Sequence, residues 1–132
     1  MKTKEELNRI SGIIVDAAME VHREFGPGLL ERVYEVALAE ELSMRGVEAR
    51  RQVAVPVTYK GKALDEDAYR IDLLVEDEVV VELKTVAELL PIHEAQLNTD
   101  LRLSKKCLGL LINFNVTLLK DGLRRRVLNF PS

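Results

Sequence analysis

RIDLLVEDEVVVELK, residues 70–84, decides how the rest of the chain is organised. Two apolar-rich runs flank the acidic segment Glu76-Asp77-Glu78. Ile71, Leu73 and Val75 on the first run and Val79, Val81 and Leu83 on the second occupy odd positions. Arg70, Asp72, Glu82 and Lys84 occupy even ones. A strand has period two, so odd and even residues form opposite faces. Residues paired across a hairpin point to the same side, so a three-residue loop at 76–78 keeps the apolar set together. It pairs Val75 with Val79 and Asp72 with Glu82, whereas a two-residue loop splits both sets. Two carboxylates then sit roughly 5 Å apart at Cβ, with a lysine two residues along. Like charges placed opposite one another destabilise a hairpin unless something neutralises them, and a divalent cation does so.

The 132 residues suit one domain with a full core, taken as residues 1–132. Hydrophobic residues make up 47% and charged residues 31%, an ordinary balance for a water-soluble chain. No apolar run is long enough to cross a membrane, and the charged start MKTKEELNRI is followed by no signal-type core. The expected location is a reducing cytoplasm. Two histidines and one cysteine exclude the usual His/Cys zinc sites, and Cys107 is expected as a buried strand residue. A net charge of −3 is no mark of a nonspecific nucleic-acid binder. The basic groups Arg50-Arg51, Lys60/Lys62, Lys105-Lys106 and Arg124-Arg125-Arg126 are either solvated surface or phosphate contacts.

Working outward, Leu7, Ile10, Ile14, Ala17, Ala18 and Val21 predict a helix over about 4–24, stopped by Gly26-Pro27-Gly28. A second helix is expected over about 29–44, with Leu30, Tyr34, Ala37, Leu38 and Leu42 on its apolar face and Gly46 beyond its end. Alternation predicts a strand within 48–59, with Pro56 marking an edge or bulge, then a turn at 59–62 and an acidic lead-in at Asp65-Glu66-Asp67. Pro91 opens a third helix running to Leu103. CLGLLINF, residues 107–114, reads as a strand covered on both faces. Residues 116–119 and 123–128 are expected to form a closing hairpin about Asp121-Gly122. The order is ααβββαββ, a mixed α/β domain.

Three features bear on chemistry. Asp72 and Glu82 offer oxygen ligands to a hard cation, and Lys84 projects from the same face. The competing reading is a solvent-facing strand pair whose charges balance. Glu31 flanks the buried stripe of the second helix. It is either a carboxylate favoured by the helix N-terminus or a third acid aimed at the hairpin. Gln96 shares helical spacings with Ile92, Ala95, Thr99 and Leu103, so it is expected to face inward. There it bonds the backbone or orients Lys84 or a substrate strand. His22 and His93 lack companions and read as structural or surface residues.

Several separate motifs then occur in order: Gly28-Leu29-Leu30-Glu31-Arg32-Val33-Tyr34 (GxxExxY), Asp72, Glu82-Leu83-Lys84, Gln96, and Gly109-Leu110-Leu111-Ile112-Asn113-Phe114. Over nearly its whole length the chain resembles the GxxExxY family, a branch of the PD-(D/E)XK nuclease superfamily. The resemblance implies a restriction-endonuclease-like domain, a mixed central sheet flanked by helices. It implies an Mg²⁺-dependent (or Mn²⁺-dependent) hydrolase of DNA or RNA phosphodiester bonds. Asp72, Glu82, the Leu83 carbonyl and Glu31 match the metal-binding positions, Lys84 the lysine, and Gln96 the glutamine of a Gln-x-x-x-Tyr motif. Asp100 stands where that motif has tyrosine. The alternative function is a non-catalytic nucleic-acid-binding or protein-interaction module on the same fold. A domain this small contacts few phosphates, which makes a homodimer a further expectation.

Overall fold

The computed structural model describes residues 2–64 and 69–132. The acidic lead-in at 65–67 lies outside the described residues. Helix α1 (Lys4–Phe25) starts at a capping box, in which Thr3 Oγ1 accepts from the Glu6 N–H and Glu6 Oε1 from the Thr3 N–H. Its six expected core residues are all buried. Helix α2 (Glu31–Met44) follows, then β1 (Ala49–Ala54), a two-residue hairpin β2 (Thr58–Tyr59) and β3 (Lys62–Ala63), β4 (Arg70–Val75) and β5 (Val79–Lys84). The chain closes with α3 (Pro91–Ser104), β6 (Leu108–Asn113), a short 3₁₀ turn (Leu119–Gly122) and β7 (Leu123–Val127). The main sheet runs β1-β4-β5-β6-β7, with β5 and β6 parallel and the other neighbours antiparallel. Setting the β2–β3 hairpin aside, the elements follow the expected ααβββαββ order. No helix among the described residues is long and apolar enough to cross a membrane.

The sheet is covered on both sides. Leu73, Val75, Val79, Val81 and Leu83 pack with the buried faces of α1 and α2. Leu74, Val80 and Leu111 pack with Leu97 and Leu101 of α3. Every residue of β6 is buried, as a central parallel strand requires. Gly109 permits the close approach of α3, since a Cβ there would lie 2.8 Å from Leu97 Cδ1.

Four expectations are corrected. The first strand stops at Ala54, because Pro56 has no N–H to continue a ladder; the β1 edge position agrees with that proline. Leu30 is 77% exposed, because α2 begins one residue later and Leu30 caps it from an extended conformation. Cys107 is partly buried and precedes β6 rather than lying in it. Residues 116–119 form no strand: β7 pairs with β6 itself, across the 3₁₀ turn.

That turn depends on Gly122, where a Cβ would stand 2.2 Å from the Asn113 carbonyl oxygen. The obstacle is backbone at the end of a fully buried strand, so it cannot swing aside. Gly122→Ala is therefore expected to cost about 1–3 kcal/mol of stability. Chemical denaturation with an unchanged midpoint would contradict this.

Candidate active site

The site forms where β4 and β5 come apart. Their pairing runs Val75↔Val79, Leu74↔Val80 and Leu73↔Val81, the register expected from a three-residue loop. Glu76, Asp77 and Glu78 make that loop, and Asp77 takes ion pairs from Arg50 and Lys106. One step beyond Leu73↔Val81 the ladder ends. Side chains replace it: the Asp72 N–H donates to Glu82 Oε1 (3.1 Å) and the Leu83 N–H to Asp72 Oδ2 (2.8 Å). The two carboxylates are thus locked into the fork by backbone donors. Past the fork, Ile71 leaves the odd-numbered face and packs with Leu74, Val80 and α3.

Glu31 lies in the first turn of α2 and feels the charges of both Asp72 and Lys84. Burial first, then Asp72, pushes its carboxyl above the ordinary range, with Lys84 opposing. Its placement depends on Tyr34, one turn later. The Tyr34 ring stacks on Phe114 at 4.5 Å between centroids, its hydroxyl donates to the Gly26 carbonyl (2.5 Å) and accepts from the Leu29 N–H (3.2 Å). One side chain thereby clamps the Gly26-Pro27-Gly28 loop that delivers α2 to the sheet. Lys84 is half-buried and forms no direct ion pair with a described residue. Asn113, buried beside it across the β5–β6 pair, holds the following loop: its side chain accepts from the Val86 N–H and donates to the Val86 carbonyl.

Gln96 departs from expectation. It is exposed, as are Ile92 and Ala95, so the first half of the stripe assigned to the interior faces solvent, while Leu103 packs against the core. The buried face of α3 is Leu97, Asp100 and Leu101. Two nearby leucines outweigh the weaker periodicity of the polar stripe. Asp100 takes the inward position, where its Oδ1 accepts from the Tyr69 hydroxyl and its side chain meets Glu82.

Sequence reasoning missed Tyr69, Glu35 and Gln52. Glu35 is only 4% exposed and accepts from Arg51 Nε (3.0 Å) and Gln52 Nε2 (2.7 Å). Gln52, at φ +53, also leans toward Asp72 Oδ1 at 3.4 Å. The Glu31–Glu35 spacing of one helical turn was legible, but nothing in it named Arg51 as partner. Glu31, Arg32, Glu35, Arg51 and Gln52 line an open groove of about 620 Å³ beside the fork. Several basic groups have intramolecular work instead: Arg125 bonds Asn8, and Arg126 pairs with Glu94. His22 bonds the Val116 carbonyl and His93 accepts from the Leu90 N–H, both structural roles.

Burial, then Asp72, then Asp100 push the Glu82 carboxyl far up, to about 10. In the unfolded chain its value is the ordinary one near 4.5. Between those values the folded state binds the extra proton. Its contribution to stability is thus full below the unfolded pKa and is lost as pH rises toward the folded one. In EDTA, thermal stability relative to a Glu82→Gln variant is expected to fall steadily from about pH 5 to about pH 9. Parallel curves for the two proteins would refute it.

The donor set suits a hard cation. Asp72, Glu82 and Asp100 offer only oxygen, and Asp100 Oδ2 is buried without a hydrogen-bond partner. Among the described residues no group of three or more acidic, histidine or cysteine side chains is placed to hold a metal ion, so the carboxylates must move together to take one. The carboxylates are adjacent without converging, which is how like charges rest when only a proton separates them.

A family model described as the PD-(D/E)XK nuclease superfamily matches residues 8–126. No curated protein and no solved structure matches the chain.

Proposed function

Because the chain belongs to the PD-(D/E)XK nuclease superfamily, we propose that it is a metal-dependent nuclease that hydrolyses phosphodiester bonds of DNA or RNA. The observation that carries this reading is the β4–β5 fork, which holds Asp72 and Glu82 by backbone donors beside Lys84. We also read the chain as a member of the GxxExxY branch. The support is the Tyr34 clamp on the Gly26 carbonyl and the Leu29 N–H, either side of the motif glycine Gly28, which fixes the loop that leads to Glu31.

Asp72, Glu82, the Leu83 carbonyl and Glu31 would hold the cation, Mg²⁺ or Mn²⁺. A divalent ion there supplies Lewis-acid polarisation of the phosphate and acidifies water. Lys84 carries a fixed positive charge toward the reacting phosphate and stabilises the negative charge that develops as water attacks phosphorus and the ester oxygen departs. Arg32 and Arg51, on the groove beside Glu31, are suited to the flanking phosphates. Such contacts go to the backbone, so the reaction is expected to show little base preference. Gln96, open to solvent one turn before Asp100, remains available to a bound strand.

The test is cleavage of labelled single- and double-stranded DNA and RNA in Mg²⁺ or Mn²⁺, with EDTA and Lys84→Ala controls. Cleavage of at least one substrate, lost in both controls, supports the reading. Inertness on all four makes the chain a binding module on a nuclease fold, and cleavage indifferent to Lys84 removes the catalytic assignment.

A further inference from the structure

Asp100 has no part in the reaction as described, yet it is the most enclosed acid in the site. It is 3% exposed. Its Oδ1 accepts the Tyr69 hydroxyl, and its Oδ2 is buried with no donor among the described residues other than a proton on Glu82. On the remaining side stands Glu82, in side-chain contact with it. Glu82 Oε1 already accepts the Asp72 N–H. Two carboxylates facing each other have acceptors only, so a positive species must stand between them: a proton or a cation. Lys84 influences Asp100 through space but makes no direct ion pair with a described residue. A buried acceptor left without a donor costs about 1–3 kcal/mol, more when charged. Without an ion a proton shared with Glu82 meets that need, and a cation can take the proton's place.

We propose that Asp100 is a direct ligand of the divalent cation, completing an all-oxygen set with Asp72 and Glu82, and that Tyr69 is a positioning residue that holds Asp100 Oδ1 and leaves Oδ2 for the ion. The hydroxyl comes from the segment just ahead of β4 and the carboxylate from α3, so the ligand set ties α3 to the fork. This rests on the metal-dependent reading of the site and adds a donor to it. Tyr69 works as an outer-shell group does: its hydrogen bond selects the carboxylate orientation in advance of the ion.

The test is direct binding of Mn²⁺, followed by calorimetry and by the loss of the free-ion paramagnetic resonance signal. Wild type is compared with Asp72→Asn, Asp100→Asn, Asp100→Ser and Tyr69→Phe, each first checked for native circular dichroism. Asp100→Asn is isosteric and removes a buried repulsion, so the fold is expected to persist; Asp100→Ser gives the same reading by a smaller side chain. Both are expected to weaken Mn²⁺ by at least about tenfold, and Tyr69→Phe by on the order of tenfold. If both Asp100 variants bind as wild type while Asp72→Asn does not, Asp100 is no ligand and the metal-dependent reading survives. If wild type takes up no Mn²⁺, both fall together.

Discussion

Lys84→Ala is expected to lower phosphodiester cleavage by about 10²–10³-fold while leaving the protein folded. The magnitude is that of removing one preorganised group aimed at charge developing in a transition state. Lys84 suits that part because its surroundings are rigid. It ends β5, lies opposite Asn113 of β6, and its carbonyl accepts the Phe114 N–H at 3.0 Å. Its ammonium makes no direct ion pair with a described residue, so no pair is broken when it is removed. The structural cost is therefore small, although Glu31 and Asp100 both lose a favourable charge. Steady-state cleavage and thermal melting, measured side by side, separate the two effects. A variant equally active, or one unfolded at the assay temperature, would contradict the expectation.

Tyr34→Ala is expected to cost about 3–5 kcal/mol, the range for removing a fully buried aromatic ring. The ring is 0% exposed, stacks on Phe114 and meets Phe25 edge-on. Its hydroxyl adds two hydrogen bonds to the loop that feeds α2. Tyr34→Phe keeps the stacking and loses only those bonds, a cost of about 1–3 kcal/mol. The pair of variants thus distinguishes packing from clamping. With the clamp gone, the N-terminal turn of α2 is no longer tied to Gly26, and Glu31 loses its fixed approach to Asp72. Tyr34→Phe should therefore weaken cleavage by more than its small stability loss accounts for. Denaturant unfolding gives the first quantity and cleavage well below the melting temperature the second. Full activity in Tyr34→Phe would separate the motif tyrosine from the site.

The hairpin was legible because its signal is local. Period-two alternation together with a loop of odd length leaves one register, the one observed from Val75↔Val79 to Leu73↔Val81; the expected Asp72–Glu82 pair is not part of the ladder, which side-chain bonds replace there. Helix α1 was equally legible, since Leu7, Ile10, Ile14, Ala17, Ala18 and Val21 recur at helical spacing and form one buried side. The third helix was not. Its apolar content is low, Leu97 and Leu101 alone decide which way it turns, and a competing stripe through Ile92 and Gln96 has similar spacing. Closing strand β7 was half legible: its residues were recognised, but its partner is β6, reached across a turn in which Gly122 lies too close to the Asn113 carbonyl for a side chain, and neither is visible in a local pattern.

The chain's own pattern determined the sheet-forming hairpin, the helices on either side and the placing of Asp72, Glu82 and Lys84 at one end of it. Those features follow from side-chain periodicity, which acts between neighbours. Tertiary structure alone decided that β4 and β5 part at Asp72, that Tyr34 clamps the loop before Glu31, and that Tyr69 and Asp100 meet at Glu82. Each of these joins elements far apart in the chain, and each is set by how α2 and α3 pack on opposite faces of one sheet. Asp100 shows the difference most plainly. In the sequence it is an acid where the resembling family has a tyrosine; in the fold it is buried against Glu82, with a tyrosine hydroxyl supplied from another segment.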